Sequence, residues 1–387
     1  MAKPNPFTPK SGWEPHVFVG REKEIEFFKK KLAEAIRGRC DHFLILGDWG
    51  IGKTALLKEF KKIAQENKYL TSLISIGQYK EGSPFIDGVK ELIEQISLKL
   101  PINIAKLKAF TKKMNMLGIQ ILGSGFQFSK RVESMNPQPF LLTALSDIWR
   151  DLQSKTEVIV VLLDDVQHFS PISGIFTILK NVLSDEEIVK KTKFLFILSC
   201  TPAEWMQFLR KHHPIGRYFT PRLSLKQLSK EETLRVINEI LLDSGVTFDP
   251  VIKERVFEYT GGHPYELQLL CSNLYDNQIG GKVTEEVWKV SLQETLNSLG
   301  EILFDSLYEE ASPKERELLC IMARYIKPLS SKEVTSKLRK HMPEFPFSNT
   351  GTYLNRLVSK GLLKKRGRGI FSLPDRMFKE YILLRVE

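Results

Sequence analysis

Hydrophobic positions follow three successive rhythms along the chain. From Phe18 to Leu223, short apolar runs alternate with stretches in which apolar residues recur every three or four positions, the pattern of strands alternating with helices. Strands are expected at 42–46, 69–76, 158–163, 193–199 and about 220–225, which gives βαβ units and a parallel sheet. The run from Val158 to Leu163 holds no polar residue, as a central strand covered on both faces requires. From Ser229 to about Ser298 the spacing turns helical throughout, through Ile237, Ile240, Ile252, Val256, Leu267 and Leu270, with breaks at Asp249-Pro250 and Gly261-Gly262. Beyond residue 311, helical patterns at about 312–324, 331–341 and 348–360 precede two short strands joined by a basic glycine turn. That order is a winged helix-turn-helix. The chain therefore divides into an N-terminal linker at 1–16, an α/β core at 17–226, a helical lid at 227–305 and a winged helix domain at 306–387.

Chemistry enters at the end of the first strand. Residues Gly47, Asp48, Trp49, Gly50, Ile51, Gly52, Lys53 and Thr54 form a complete Gly-x-x-x-x-Gly-Lys-Thr loop, running into Ala55 and an apolar helix pattern. Strand before and helix after are the context that makes this a phosphate-binding P-loop. Its glycines let backbone N–H groups curl around an anion, and the helix N-terminus behind them adds a positive dipole. Lys53 is then placed to reach the β- and γ-phosphates of ATP, and the Thr54 hydroxyl to ligate Mg²⁺. The second element of a P-loop fold is a buried strand ending in acids, and the central strand ends in Asp164-Asp165. Asp164 is expected to hold Mg²⁺ through its water shell, and Asp165 to polarise the attacking water that turns ATP into ADP and phosphate. The next strand ends in Ser199-Cys200-Thr201. A polar side chain there can sense the γ-phosphate, Ser199 before Thr201, or Thr201 can simply cap the helix that Pro202 opens. Arg217 and Arg222, before the last core strand, are the candidates for an arginine finger acting across subunits of a homo-oligomer, or are ordinary solvated arginines.

Composition narrows the picture. Hydrophobic residues make 42% of the 387 and charged residues 27%, an ordinary globular balance. Met1 to Lys10 is polar and proline-rich with no apolar signal region, and no apolar run approaches membrane-spanning length, so a cytoplasmic chain with no membrane partner is expected. Cys40, Cys200, Cys271 and Cys320 lack metal-ligand spacing and read as reduced, buried thiols. The net charge of +11 is uneven: from Ala311 onward there are 17 Lys/Arg against 7 Asp/Glu. A second basic stretch, Gln95 to Val132, contains no acid at all. Such local excess points to a polyanion, with double-stranded DNA the leading partner. Within 118–129 the alternation is that of a short hairpin.

Further motifs carry a family resemblance. Phe18-Val19-Gly20-Arg21-Glu22-x-Glu24 ahead of the P-loop, and Gly261-Gly262-His263-Pro264 in the lid, are similar to the signatures of STAND-type signal-transduction ATPases, relatives of the AAA+ class. With core, lid and winged helix in this order, the chain resembles the archaeal ATPase family, and also archaeal replication-initiator ATPases, over about residues 15–385. The resemblance implies an ASCE/AAA+-like α/β P-loop NTPase fold, with Phe18, Val19, Gly20 and Arg21 lining an adenine pocket and His263 and Pro264 meeting the nucleotide from the lid. Two departures stand out. Many relatives have Asp-Glu where this chain has Asp164-Asp165, and the shorter side chain implies slow hydrolysis. The lid arginine of AAA+ motors is replaced by His263, which favours a switch over a motor.

In the third helix of the last domain, Tyr353, Leu354, Leu357 and Val358 make the buried face. Thr352, Asn355, Arg356 and Lys360 fall outward, where a recognition helix meets a major groove. Lys364, Lys365, Arg366 and Arg368 in the wing suit phosphate or minor-groove contact. The expected function is an ATP-dependent DNA-binding switch. The alternatives are a replication-initiator or transposition-regulator ATPase, and a ligand-sensing signalling or defence ATPase whose winged helix is a latch for a protein partner.

Overall fold

Five short strands make one parallel sheet, with the long apolar strands Ile159–Asp164 and Phe194–Cys200 buried throughout and Arg222–Ser224 largely exposed at one edge. The computed structural model describes residues 4–9, 17–80, 85–101, 119–122, 125–128, 138–169, 174–211, 213–325, 327–341, 343, 345 and 349–385. They form two units, Arg21–Lys226 and the combination of Met1–Gly20 with Gln227–Glu387. In the first unit, helix α1 (Glu22–Ile36) leads into β1 (Phe43–Leu46), α2 (Lys53–Glu66), β2 (Leu70–Ser75) and α3 (Phe85–Lys99). A two-stranded antiparallel ribbon follows, β3 (Ile119–Leu122) and β4 (Gly125–Phe128), where the hairpin was expected. The flanking basic residues of 102–118 and 129–137 lie outside the described residues. Then come α4 (Gln138–Leu152), β5 (Ile159–Asp164), α5 (Ile175–Leu183), α6 (Glu186–Lys191), β6 (Phe194–Cys200), α7 (Pro202–Lys211) and β7 (Arg222–Ser224).

The sheet order is β2-β5-β6-β1-β7, all parallel. Every residue of β5 and β6 is buried, as the unbroken apolar runs require. The order matters for chemistry. Strand β6 lies between the strand that ends in the P-loop and the strand that ends in the acids, with Ile45 opposite Ser199 and Leu163 opposite Leu198. Phe28 stacks on Phe60 at 4.2 Å and fastens α1 to the helix behind the P-loop.

The second unit begins with α8 (Lys230–Leu241), opened by a capping box between Ser229 and Glu232. Helices α9 (Pro250–Thr260), α10 (Pro264–Asp276) and α11 (Glu285–Leu299) complete the bundle, and one π-helical turn at Gly300–Phe304 leads into α12 (Asp305–Glu309). Gly261 and Gly262 end α9 at positive φ, +58° and +76°. The backbone there runs so close to Leu228 that a Cβ on Gly262 would sit 2.0 Å from its carbonyl oxygen. The remainder is α13 (Pro313–Ala323), β8 (Leu329–Ser330), α14 (Ser331–His341), α15 (Thr350–Ser359), β9 (Lys364–Gly367), β10 (Ile370–Ser372) and α16 (Arg376–Leu384). Strands β8, β10 and β9 form a three-stranded antiparallel sheet beside the three helices, a winged helix. One hydrophobic core runs through bundle and winged helix together, with Phe304 against Phe378 at 5.1 Å.

One expectation is corrected here. Residues 4–9 are not a loose linker: Phe7 is buried among the bundle helices, stacked on Phe248 at 6.2 Å, and the Asn5 side chain donates to Ser272. The four cysteines are unpaired. Among the described residues no helix is long and apolar enough to cross a membrane.

Candidate nucleotide-binding site

The P-loop leaves β1 as a tight turn that only glycine tolerates. Gly50 and Gly52 hold φ of +70° and +96°, and a Cβ on Gly47 would lie 2.5 Å from the Ile51 side chain. Arg21, buried before α1, donates to the carbonyls of Ile51 (3.0 Å) and Lys226 (2.8 Å), which ties the loop to the segment leaving β7. That contact is structural, and the resemblance to an adenine-lining segment gave no sign of it. Lys53 opens α2 and is buried, its ammonium bridging the loop's own carbonyls at Gly47 (3.0 Å) and Asp48 (3.1 Å). Asp48 and Trp49 are exposed on the loop's rim, and Ala55 is half-buried in the first turn of α2.

Opposite the loop, β5 ends in Asp164, only 2% exposed. The Thr54 hydroxyl donates to one of its carboxylate oxygens at 2.6 Å, and the Ser199 hydroxyl donates to the other. The Asp165 N–H in turn donates to the Ser199 oxygen at 3.0 Å. Ser199 is therefore the buried tie between both acids. Thr201 caps α7 instead, its hydroxyl accepting the Glu204 N–H, the plainer of the two expected roles. Burial pushes the Asp164 carboxyl above the usual carboxylate range, against the pull of the bonds from Ser199 and Thr54. Asp165 turns the chain with φ of +54°, a left-handed conformation costly for a residue with a Cβ and concentrated at functional sites. Gln167 donates to its carboxylate at 2.9 Å. Nothing in the spacing of the motif marked Gln167, whose role appears only once the turn after β5 is folded.

The order of the strands, the loop and the paired acids define a class of fold, and residues 17–180 match the AAA ATPase domain family. That stretch is similar to an AAA ATPase domain. Over 95% of its length the chain is also 21% identical to an uncharacterized HTH-type transcriptional regulator of Methanocaldococcus jannaschii, 88% of which is covered. Among solved structures it is similar in fold to the ORC2 protein of Aeropyrum pernix (TM-score 0.62, 14% identity, 98% of each chain covered). It is likewise similar to a Walker-type ATPase of Pyrococcus abyssi (TM-score 0.59, 16% identity, 96% of this chain and 97% of that one).

The remaining candidates divide. Arg217 ends a 3₁₀ turn and is exposed. Arg222 is exposed on β7, but its guanidinium donates to the Gly216 carbonyl at 3.1 Å and lies 5.8 Å from the Trp205 ring. In the second unit, Phe18 and Val19 are half-buried, while Gly20 is buried at φ of +80° against Leu228. His263 caps α10 by accepting the Glu266 N–H, and Pro264 takes the first helical position. In the winged helix, Thr352, Asn355 and Arg356 are exposed on α15, and Lys364, Lys365, Arg366 and Arg368 are exposed on the β9–β10 hairpin. Lys360 requires correction as an outward contact. Its ammonium donates to the buried Glu315 carboxylate at 2.7 Å and to the Glu310 carbonyl at 2.6 Å, because it ends α15 beside the start of α13.

Proposed function

We propose that this chain is a nucleotide switch of the STAND type: the AAA ATPase domain binds ATP with Mg²⁺ and hydrolyses it slowly, and the winged helix binds duplex DNA under its control. The nucleotide half rests on the chain of bonds from Thr54 through the buried Asp164 and Ser199 to Asp165 beside a complete P-loop. Thr54 Oγ1 and the Asp164 carboxylate are hard oxygen donors 2.6 Å apart, a pair that suits Mg²⁺. When bound there, the ion supplies charge neutralisation at the β- and γ-phosphates. Lys53 exchanges its two loop carbonyls for phosphate oxygens. Asp165, steadied by Gln167, accepts the proton of the attacking water. Its side chain is one methylene shorter than glutamate, so the water is held less well and turnover is slow.

The DNA half is supported by the exposed polar face of α15 and the four wing cations on one hairpin. Phosphate release by the wild-type chain, Lys53→Ala and Asp165→Asn, beside duplex capture on a filter, tests both halves. Turnover unaffected by Lys53→Ala sinks the first, and no retained duplex at low salt sinks the second. Footprinting on random and origin-like duplexes separates a general DNA-binding switch from a replication-initiator or transposition-regulator ATPase.

A second reading makes the winged helix a protein-interaction latch in a signalling or defence ATPase. It draws on the core shared by bundle and winged helix and on Arg376 of α16, which reaches Glu258 (3.4 Å) and covers the Tyr259 ring (3.8 Å) on α9. Assembly driven by ATP in sedimentation, with no affinity for duplex, selects this reading. An arginine finger supplied by Arg217 belongs to such an assembly.

A further inference from the structure

A cavity of about 430 Å³ opens in the second unit, between α9 of the bundle and the winged helix. Four cations line it: Lys327 before β8, Arg366 on β9, and Arg376 and Lys379 on α16. Lys337 is outside that lining and its ammonium covers one face of the Tyr325 ring, 3.5 Å from the centroid. Two acids face them, Glu258 and Asp375. Asp375 is engaged as the cap of α16, accepting the Phe378 N–H at 2.7 Å, and burial pushes its carboxyl up toward the neutral form. Glu258 reaches Arg376 at 3.4 Å from an exposed position. Glu380, beside the two cations on α16, pairs with Arg376 at 3.5 Å and with Lys379 at 3.8 Å, contacts that a bound anion would share. The Arg366 Nε donates to Ser372 at 3.0 Å, which fixes the plane of its guanidinium fork.

Charge alone would suit any anion, but the rest of the wall is apolar. Met322, Tyr325 and Leu373 line the same cavity as the cations. A phosphodiester strand lying across the surface would use the cations and leave that apolar lining bare. A ligand that uses both has a charged group for the arginine fork and a flat apolar body for the Tyr325 side. The volume falls in the range of about 300–1,000 Å³ usual for small-molecule sites.

We propose that this cavity binds a small phosphorylated ligand with a flat ring, of the mononucleotide class, at a second site separate from the P-loop. Its phosphate engages Arg366 and Lys379, and its ring packs on the open side of Tyr325 and on Leu373, above the buried Met322. Because Arg366 belongs to the wing and Arg376 to the contact with α9, occupancy fastens the wing's base to the bundle. The inference stands whether or not the winged helix binds DNA.

The Met322 methyl group is the reporter. The full chain carrying Lys53→Ala, labelled with ¹³C-methyl methionine, is titrated with AMP, adenosine, inorganic phosphate and a short duplex, and Met322→Leu assigns the resonance. The expected result is a saturable shift with AMP at millimolar concentration or below and a much weaker response to adenosine or phosphate alone. Lys327→Glu combined with Lys379→Glu weakens AMP by about tenfold or more, the scale of a lost charge-assisted hydrogen bond. Arg366→Gln, which keeps both lysines, gives a loss of the same kind and covers the case in which the double variant misfolds. An unmoved methyl with AMP, an equal shift with adenosine, or a shift with duplex in place of AMP overturns the proposal.

Discussion

Ser199 joins two acids through a single hydroxyl, so its loss cannot be absorbed locally. Ser199→Ala leaves an Asp164 oxygen and the Asp165 N–H buried without that partner. It should lower stability by about 1–3 kcal/mol in denaturant melts. Phosphate release should fall by roughly 10²-fold, as for loss of one preorganised polar contact, with ATP affinity nearly kept. Asp165→Asn should abolish turnover at unchanged ATP affinity, which equilibrium dialysis and phosphate release together decide. A pH effect belongs to Glu315. Burial raises its carboxyl, but the bonds from Lys360 and from the Ser312 N–H outweigh this and hold it below its usual value of 4.5. A depressed folded-state value means stability fully present above about pH 4.5 and lost as pH falls through the lower folded value. Lys360→Met should flatten that acid limb and, by stranding a buried carboxylate, cost about 1–3 kcal/mol at neutral pH.

Among elements, the close approach of Gly262 to Leu228 gives a sharp contrast. Gly262→Ala puts a Cβ against a backbone carbonyl at positive φ and should destabilise the second unit by about 3 kcal/mol or more. In α15, Gly351→Ala meets nothing within 4 Å and should stabilise by about 0.5–1 kcal/mol. Urea titrations followed by circular dichroism read both. The elements themselves were largely legible because local rules dominate them. The central strands are apolar runs closed by turns, and all five core strands fell within about two residues of expectation. The winged helix followed from three helical periods and a glycine turn. What escaped depends on residues far apart in the chain. Nothing local says that Phe7 seats on Phe248 and Tyr275, that Arg21 holds the Ile51 carbonyl, or that Lys360 turns inward to Glu315. The site was legible where chemistry dictates spacing, in the P-loop and the paired acids. It was silent where one contact closes a loop, as with Gln167.

At the scale of the whole molecule, the proposed ATP site in one unit and the cationic hairpin in the other are useful together only if they are coupled. Coupling between sites is a free energy and is reciprocal: whatever ATP does to duplex affinity, duplex does to ATP affinity. The most direct test is duplex affinity as a function of salt, in ATP, in ADP and for Lys53→Ala. Four wing cations on phosphates give a log–log slope near −3.6, at about −0.9 per contact. The expected result is that slope in one nucleotide state, with affinity differing between ATP and ADP by about tenfold, a modest allosteric coupling, and the difference erased by Lys53→Ala. Identical affinities in ATP and ADP, or binding that ignores salt, would contradict a nucleotide-governed DNA reader.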